Sequence, residues 1–135
     1  MSTIHVRIIT PAGIYREFDT PYLNFQTTDG DRGILPNHMP LVTSLRIGKM
    51  TSEEDGKRNL YAVAGGLLYF RENIAEILTD AVENKDDIDE ERAKASKERA
   101  ERRLKDTDRN YDMKRAELAL KRAINRLEVA GKGSY

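Results

Sequence analysis

The chain has 135 residues, with 23 Lys and Arg, 23 Asp and Glu and no cysteine, so its formal net charge is zero. The missing cysteines exclude disulfide frameworks, thiolate zinc sites and cysteine nucleophiles. The charge balance argues against a protein that works by coating nucleic acid or anionic lipid. His5 and His38 are too few and too far apart for a metal site. The longest apolar run, residues 62–70 (AVAGGLLYF), holds two glycines and falls far short of a membrane span. Residues 1–10 alternate polar and apolar without an apolar run and cleavage site, so a soluble intracellular chain is expected.

The chain changes character near residue 85. Residues 1–84 carry 8 basic and 11 acidic side chains, all four prolines and seven of the nine glycines, whereas residues 85–135 carry 15 basic and 12 acidic ones. From Leu67 to Ala130 there is neither Gly nor Pro. Two domains are expected, at 1–84 and 85–135.

Elements of the first domain read as short strands. Ile4, Val6 and Ile8 alternate with His5 and Arg7, the period of a half-buried strand. Asp29-Gly30 and Asp55-Gly56 are tight-turn dipeptides. Leu60 to Ala64, Leu67 to Phe70 and Ile74 to Leu78 are further short apolar and aromatic runs. Turn signals recur every 8–12 residues or so, which favours an antiparallel sandwich and leaves no room for helical crossovers.

The second domain reads as two helices. Asp87 and Glu90 form a capping-box pattern that opens a helix from about Ile88 to Lys105. Cap-prone residues at 105–108 interrupt it, and Thr107 or Asp108 starts the next helix. That helix carries Met113, Ala116, Leu120, Ala123, Leu127 and Ala130 as a seam, answered by Ala93, Ser96, Ala100 and Leu104 on the first. The fold class is therefore α+β: an N-terminal antiparallel β-sandwich, then a C-terminal antiparallel α-helical hairpin. Ordering about 45 residues costs roughly 1–2 kcal/mol each. Since the seam is half alanine, the hairpin leans on docking elsewhere and has more than one resting place.

Catalytic signatures are absent: no GK[ST] phosphate loop, no GxSxG and no HExxH. A Ser44, His38 and Asp31 triad has no support from spacing, and His38, between Pro36 and Pro40, reads as a turn residue bonded to backbone. Arginines carry more information. Arg92 and Arg99 share one face of the first helix, and Arg122 and Arg126 stack one turn apart on the second. Four such guanidinium forks suit the oxygens of a polyphosphate. Arg102, Arg103, Arg109 and Arg115 show that arginine is common here, so spacing alone leaves a solvated face open. Asp89 with Arg92 equally reads as a surface ion pair of little worth.

Four stretches occur in a telling order: residues 33–42 (GILPNHMPLV), Ala64-Gly65-Gly66 before an apolar strand, residues 88–93 (IDEERA) and residues 116–127 (AELALKRAINRL). On these the chain resembles, along essentially its whole length, the epsilon-subunit family of bacterial F-type ATP synthases. The resemblance implies a non-catalytic rotor subunit whose sandwich attaches to the gamma subunit and to the ring of membrane c subunits. It implies a hairpin that lets the motor run when compact. Extended toward the alpha and beta subunits, that hairpin blocks ATP hydrolysis. Peripheral location on the cytoplasmic face of the bacterial cell membrane follows. In ATP-binding members the I/L-D-x-x-R-A motif forms part of the nucleotide site. Ile88, Asp89, Arg92 and Ala93 match it, and Glu83, Arg99, Arg122 and Arg126 match the accompanying positions. The acidic pair is implied on the base and ribose side and the arginines on the phosphates, with no magnesium required. Asp31 and His38 are carried over as partner contacts.

Two positions depart from the family pattern. Asn37 stands where glycine is usual, and asparagine tolerates the left-handed turn best after glycine. Arg32 stands where leucine is common, in the loop expected near the membrane ring. Physically, a ligand that binds only the compact hairpin at 100-fold above its Kd stabilises it by about 2.7 kcal/mol, enough to bias a marginal element. The alternative is a non-rotary module whose basic hairpin grips RNA or an acidic protein. The mixed charge and lack of an aromatic platform make a poor nucleic-acid footprint. An ATPase reading lacks a residue placed to activate water.

Overall fold

The computed structural model describes residues 2–106 and 112–131, and the expected helix start at Thr107 or Asp108 lies outside them. The chain divides into two units, residues 1–84 and 85–135.

Eight strands build the first unit: β1 (Ile4–Thr10), β2 (Gly13–Thr20), β3 (Leu23–Thr27), β4 (Gly30–Ile34), β5 (Leu41–Glu54), β6 (Lys57–Arg71), β7 (Ile74–Leu78) and β8 (Val82–Asn84). Their order is β2-β1-β7-β6-β5-β3-β4, with β8 paired to β6. Alternation in β1 sends Ile4, Val6 and Ile8 into the core and leaves His5 and Arg7 outside. Leu23, Phe25, Met50, Tyr61, Leu68, Phe70 and Ile77 complete the core. The two Asp-Gly turns form as expected, with Asp55 and Gly56 both at positive φ. Asn37 takes φ 71, the left-handed conformation expected of it.

Two features differ from the sequence reading. The runs at 60–64 and 67–70 are one strand, because Gly65 and Gly66, at φ 85 and 128, bend β6 without ending its pairing. A Cβ on Gly66 would run into the Leu78 carbonyl oxygen, so this close approach admits only glycine. One pair also departs from the antiparallel rule: β1 runs parallel to β7, with His5 opposite Ile74. The sandwich closes where β2 meets β5. Phe18 stacks on Tyr61 with ring centroids 6.0 Å apart, and Arg16 Nη2 reaches Glu54 Oε1 at 2.7 Å.

The second unit holds a 3-10 turn (Lys85–Asp87) and helices α1 (Glu90–Lys105) and α2 (Met113–Gly131). The helix start is corrected here. Asp87 belongs to the turn, and the cap is Asp89, whose carboxylate accepts from the Arg92 amide at 3.1 Å. The turn uses up the residues that would have opened the helix earlier, so the Asp87–Glu90 capping box does not form. Asp112 caps α2 in the same way, accepting from the Arg115 amide at 3.2 Å. Between the helices, Ala93 and Ala100 of α1 and Ala116 and Ala123 of α2 are buried, so methyl groups let the two axes approach closely. Met113, placed on the seam by its spacing, is 40% exposed. It is the first residue of α2, one turn before Ala116, the first buried residue of that helix. Asn125 and Val129, off the seam, are buried.

Candidate functional site

Every residue proposed for the nucleotide except Glu83 lies in the second unit; Glu83 sits on β8, half-buried, opposite Ala62. Ile88 is half-buried in the link to α1, and Ala93 is part of the closed seam. Asp89 spends a carboxylate oxygen on capping, so its contact with Arg92 goes to the backbone amide and the expected ion pair does not form.

The arginines obey a positional rule. Arg92 immediately precedes Ala93, Arg99 precedes Ala100, Arg122 precedes Ala123 and Arg126 precedes Leu127. One residue is about 100° of rotation, so each arginine stands beside the seam. A two-fold axis normal to the plane of an antiparallel pair exchanges its helices while preserving its two sides. Residues one position before the seam on either helix therefore emerge on the same side, which collects all four guanidinium groups on one face. Arg92, Arg99 and Arg122 are exposed and form no ion pair among the described residues, while Arg126 is half-buried.

Sequence reasoning missed two members of this face. Arg103 precedes Leu104 and Arg115 precedes Ala116, so both satisfy the same rule, although they had served only as examples of abundant arginine. The structure brings them together with Arg122 around a groove of about 680 Å³ that Asp112, Leu118 and Ala119 also line. Position relative to the seam was the signal that could have found them. An array of this kind can bind oxyanions through charge-assisted, bidentate hydrogen bonds.

In the first unit, His38 donates from Nδ1 to the Met39 carbonyl at 2.7 Å and meets Phe70 edge-on. Asp31, on exposed β4, accepts from Gln26 Nε2 at 3.1 Å. Both groups are thus engaged locally, and no Ser44–His38–Asp31 relay is assembled. Exposed apolar side chains are more prominent. Leu35 (63% exposed) and Met39 (75%) crown the loop around His38. Val42, Leu67, Tyr69 and Leu78 stand on the outer face of β5, β6 and β7, where Val42 pairs with Tyr69 and Leu67 with Leu78.

Comparison with known proteins agrees with both units. Residues 3–85 match the family model described as ATP synthase, Delta/Epsilon chain, beta-sandwich domain, and residues 86–131 match its long alpha-helix domain. The ATP synthase epsilon chain of Halalkalibacterium halodurans is 45% identical over 133 residues, covering 98% of this chain and 100% of that one. That of Bacillus velezensis is 46% identical over 131 residues, covering 97% and 99%. Among solved structures, a chain of the Euglena gracilis mitochondrial ATP synthase OSCP/F1/c-ring assembly shares the fold with a TM-score of 0.78. It is 21% identical over 96% of this chain and 82% of that one. Two domains matched in order and relatives this similar over nearly the whole length leave one conclusion: the chain belongs to the ATP synthase epsilon-chain family.

Proposed function

We propose that this epsilon chain is a regulatory rotor subunit that binds ATP on the arginine face of its hairpin, and that the bound nucleotide holds the hairpin compact. The observation that carries the reading is the arginine array: side chains that each precede a seam residue, on one side of the pair, three of them exposed and without ion pairs among the described residues. Polyphosphate bridging α1 and α2 relieves the mutual repulsion of those guanidinium groups and ties the helices together. Arg92, Arg99, Arg122 and Arg126 take the phosphates, and Arg103 and Arg115 continue the cationic face toward the end where α1 stops and α2 starts. Ile88 and Asp89 belong to the nucleoside side, and Ala93, buried in the seam, keeps α1 and α2 close enough for one ligand to span both. The arginines supply the neutralising charge, so no magnesium ion is required.

With ATP scarce, the helices extend toward the alpha and beta subunits and restrain ATP hydrolysis. The sandwich attaches to the gamma subunit and the c-ring, which its exposed apolar side chains around Leu35, Met39, Val42 and Tyr69 support. The chain sits on the cytoplasmic side of the membrane through the complex; among the described residues, no helix is long and apolar enough to cross a membrane.

Two measurements test this. Calorimetric titration of the full chain with ATP is expected to show saturable binding that Arg92→Ala and Arg126→Ala each weaken about tenfold or more. Hydrolysis by the assembled complex is expected to rise when residues 88–135 are removed. Unchanged affinity in both variants would end the site assignment, and unchanged hydrolysis would end the braking role.

A further inference from the structure

His5 stands on the outer face of β1, opposite Asp19 of β2 on one side and Ile74 of β7 on the other. Its Nδ1 lies 2.9 Å from Asp19 Oδ1, and its Nε2 lies 3.1 Å from Glu17 Oε1. An ionised carboxylate only accepts, and a neutral imidazole carries a single N–H, so both contacts are hydrogen bonds only when the ring holds two protons. The surroundings favour that state. From β2, Glu17 and Asp19 face the ring. From β7 come uncharged Ile74 and, beside it, Glu76, which accepts from Arg7 Nη1 at 3.1 Å. On β1 itself, Arg7 Nε donates to the same Glu17 oxygen at 2.9 Å. With His5 charged, two cations face three carboxylates; with His5 neutral, one does.

The place of this cluster gives it a consequence. β2 ends the strand order, so among the described residues its only ladder partner is β1, and Gly13 to Glu17 are all exposed. We propose that His5 is a proton-binding site whose doubly protonated ring clasps edge strand β2 to β1, so that gain or loss of one proton tightens or loosens this edge of the sandwich. The hydrogen bond to Asp19 and then that to Glu17 raise the His5 pKa above its ordinary 6.5, outweighing the desolvation that opposes them. Because the folded pKa is the higher one, the contribution is complete below about pH 6.5. It is lost as pH rises through the folded value. The switch therefore works above the ordinary imidazole value, and it is independent of the nucleotide reading.

The test uses the full chain. Ring-nitrogen NMR shifts of His5 followed from about pH 5 to pH 9 are expected to give a midpoint above 6.5. The Glu17→Gln, Asp19→Asn double variant should lower that midpoint toward the ordinary imidazole value, and an unchanged midpoint overturns the proton site. Amide exchange, corrected for its intrinsic pH dependence, should show protection of β2 falling about two- to five-fold across the same midpoint, the range an exposed charge pair supports. Protection of β5 and β6 should stay level, and His5→Gln should abolish the step. A wild-type midpoint at or below 6.5 overturns the proton site without recourse to any variant. A β2 step that is absent in the wild type, or that persists in His5→Gln, overturns the clasp.

Discussion

The Tyr61 hydroxyl donates to Glu54 Oε2 at 2.7 Å, inside the seam where β2 folds over β5. Ser52 Oγ donates to the same oxygen at 2.9 Å, and Arg16 holds the other one, so a carboxylate only 7% exposed is satisfied on every side. Burial first, and then the hydrogen bond to Glu54, pushes the Tyr61 phenol well above its ordinary value. The group therefore acts as a permanent donor. Tyr61→Phe removes one donor from a buried charge and is expected to destabilise the sandwich by about 2 kcal/mol, the usual worth of a hydrogen bond to a charged group. Urea denaturation of the full chain, followed by Phe and Tyr signals, measures it.

Gly66 gives a second test. Replacement by alanine adds a methyl group where the Leu78 carbonyl stands and forces an L residue to φ 128. Gly13→Ala, at φ 117 with nothing near the new Cβ, carries the backbone strain alone. Strain of this kind costs about 1–3 kcal/mol. Gly66→Ala is expected to exceed Gly13→Ala clearly in lost thermal stability, and equal losses would show that β6 and β7 yield.

The alanine seam predicts intolerance to bulk. Ala123→Leu overfills a position 2% exposed and is expected to cost the hairpin about 1–3 kcal/mol. Amide exchange should report the loss in α1 and α2, with β5 and β6 unchanged.

Asp89 separates two roles. Asp89→Ala removes the cap of α1 and is expected to lower its helical stability by about 1 kcal/mol, whereas Asp89→Ser restores the cap. Helix content by circular dichroism should follow the cap. ATP affinity that stays low in Asp89→Ser, with helicity recovered, would identify a direct contact with the nucleotide.

Much of the architecture was legible because it is local. The period-two pattern of residues 4–8, the Asp-Gly turns and the alanine and leucine spacing of 116–127 each state a backbone preference within one element. What escaped was set by partners distant in sequence or by neighbouring geometry. The parallel β1–β7 pairing leaves no mark in either strand alone. Residues 60–70 looked like two strands because glycine pairs usually punctuate, yet here the ladder to β5 carries them through. Asp87 and Asp89 are equally good caps on paper, and only the preceding 3-10 turn chooses between them. Arg103 and Arg115 were visible as letters but not as a face, because the seam must be fixed before its flank has meaning.

The β1–β7 pairing also sets a timetable. Arg7 and Glu76, joined across these strands, are 69 residues apart, and contacts of such separation are slow to form because a long loop must close first. A chain emerging from the ribosome can make the β1–β2 hairpin early, but it cannot seat the first strand against its second neighbour until β7 is exposed. The helices follow within a few tens of residues. The sandwich is thus assembled at about the moment its helical tail appears, and any delay in closing it leaves an apolar strand edge uncovered during synthesis.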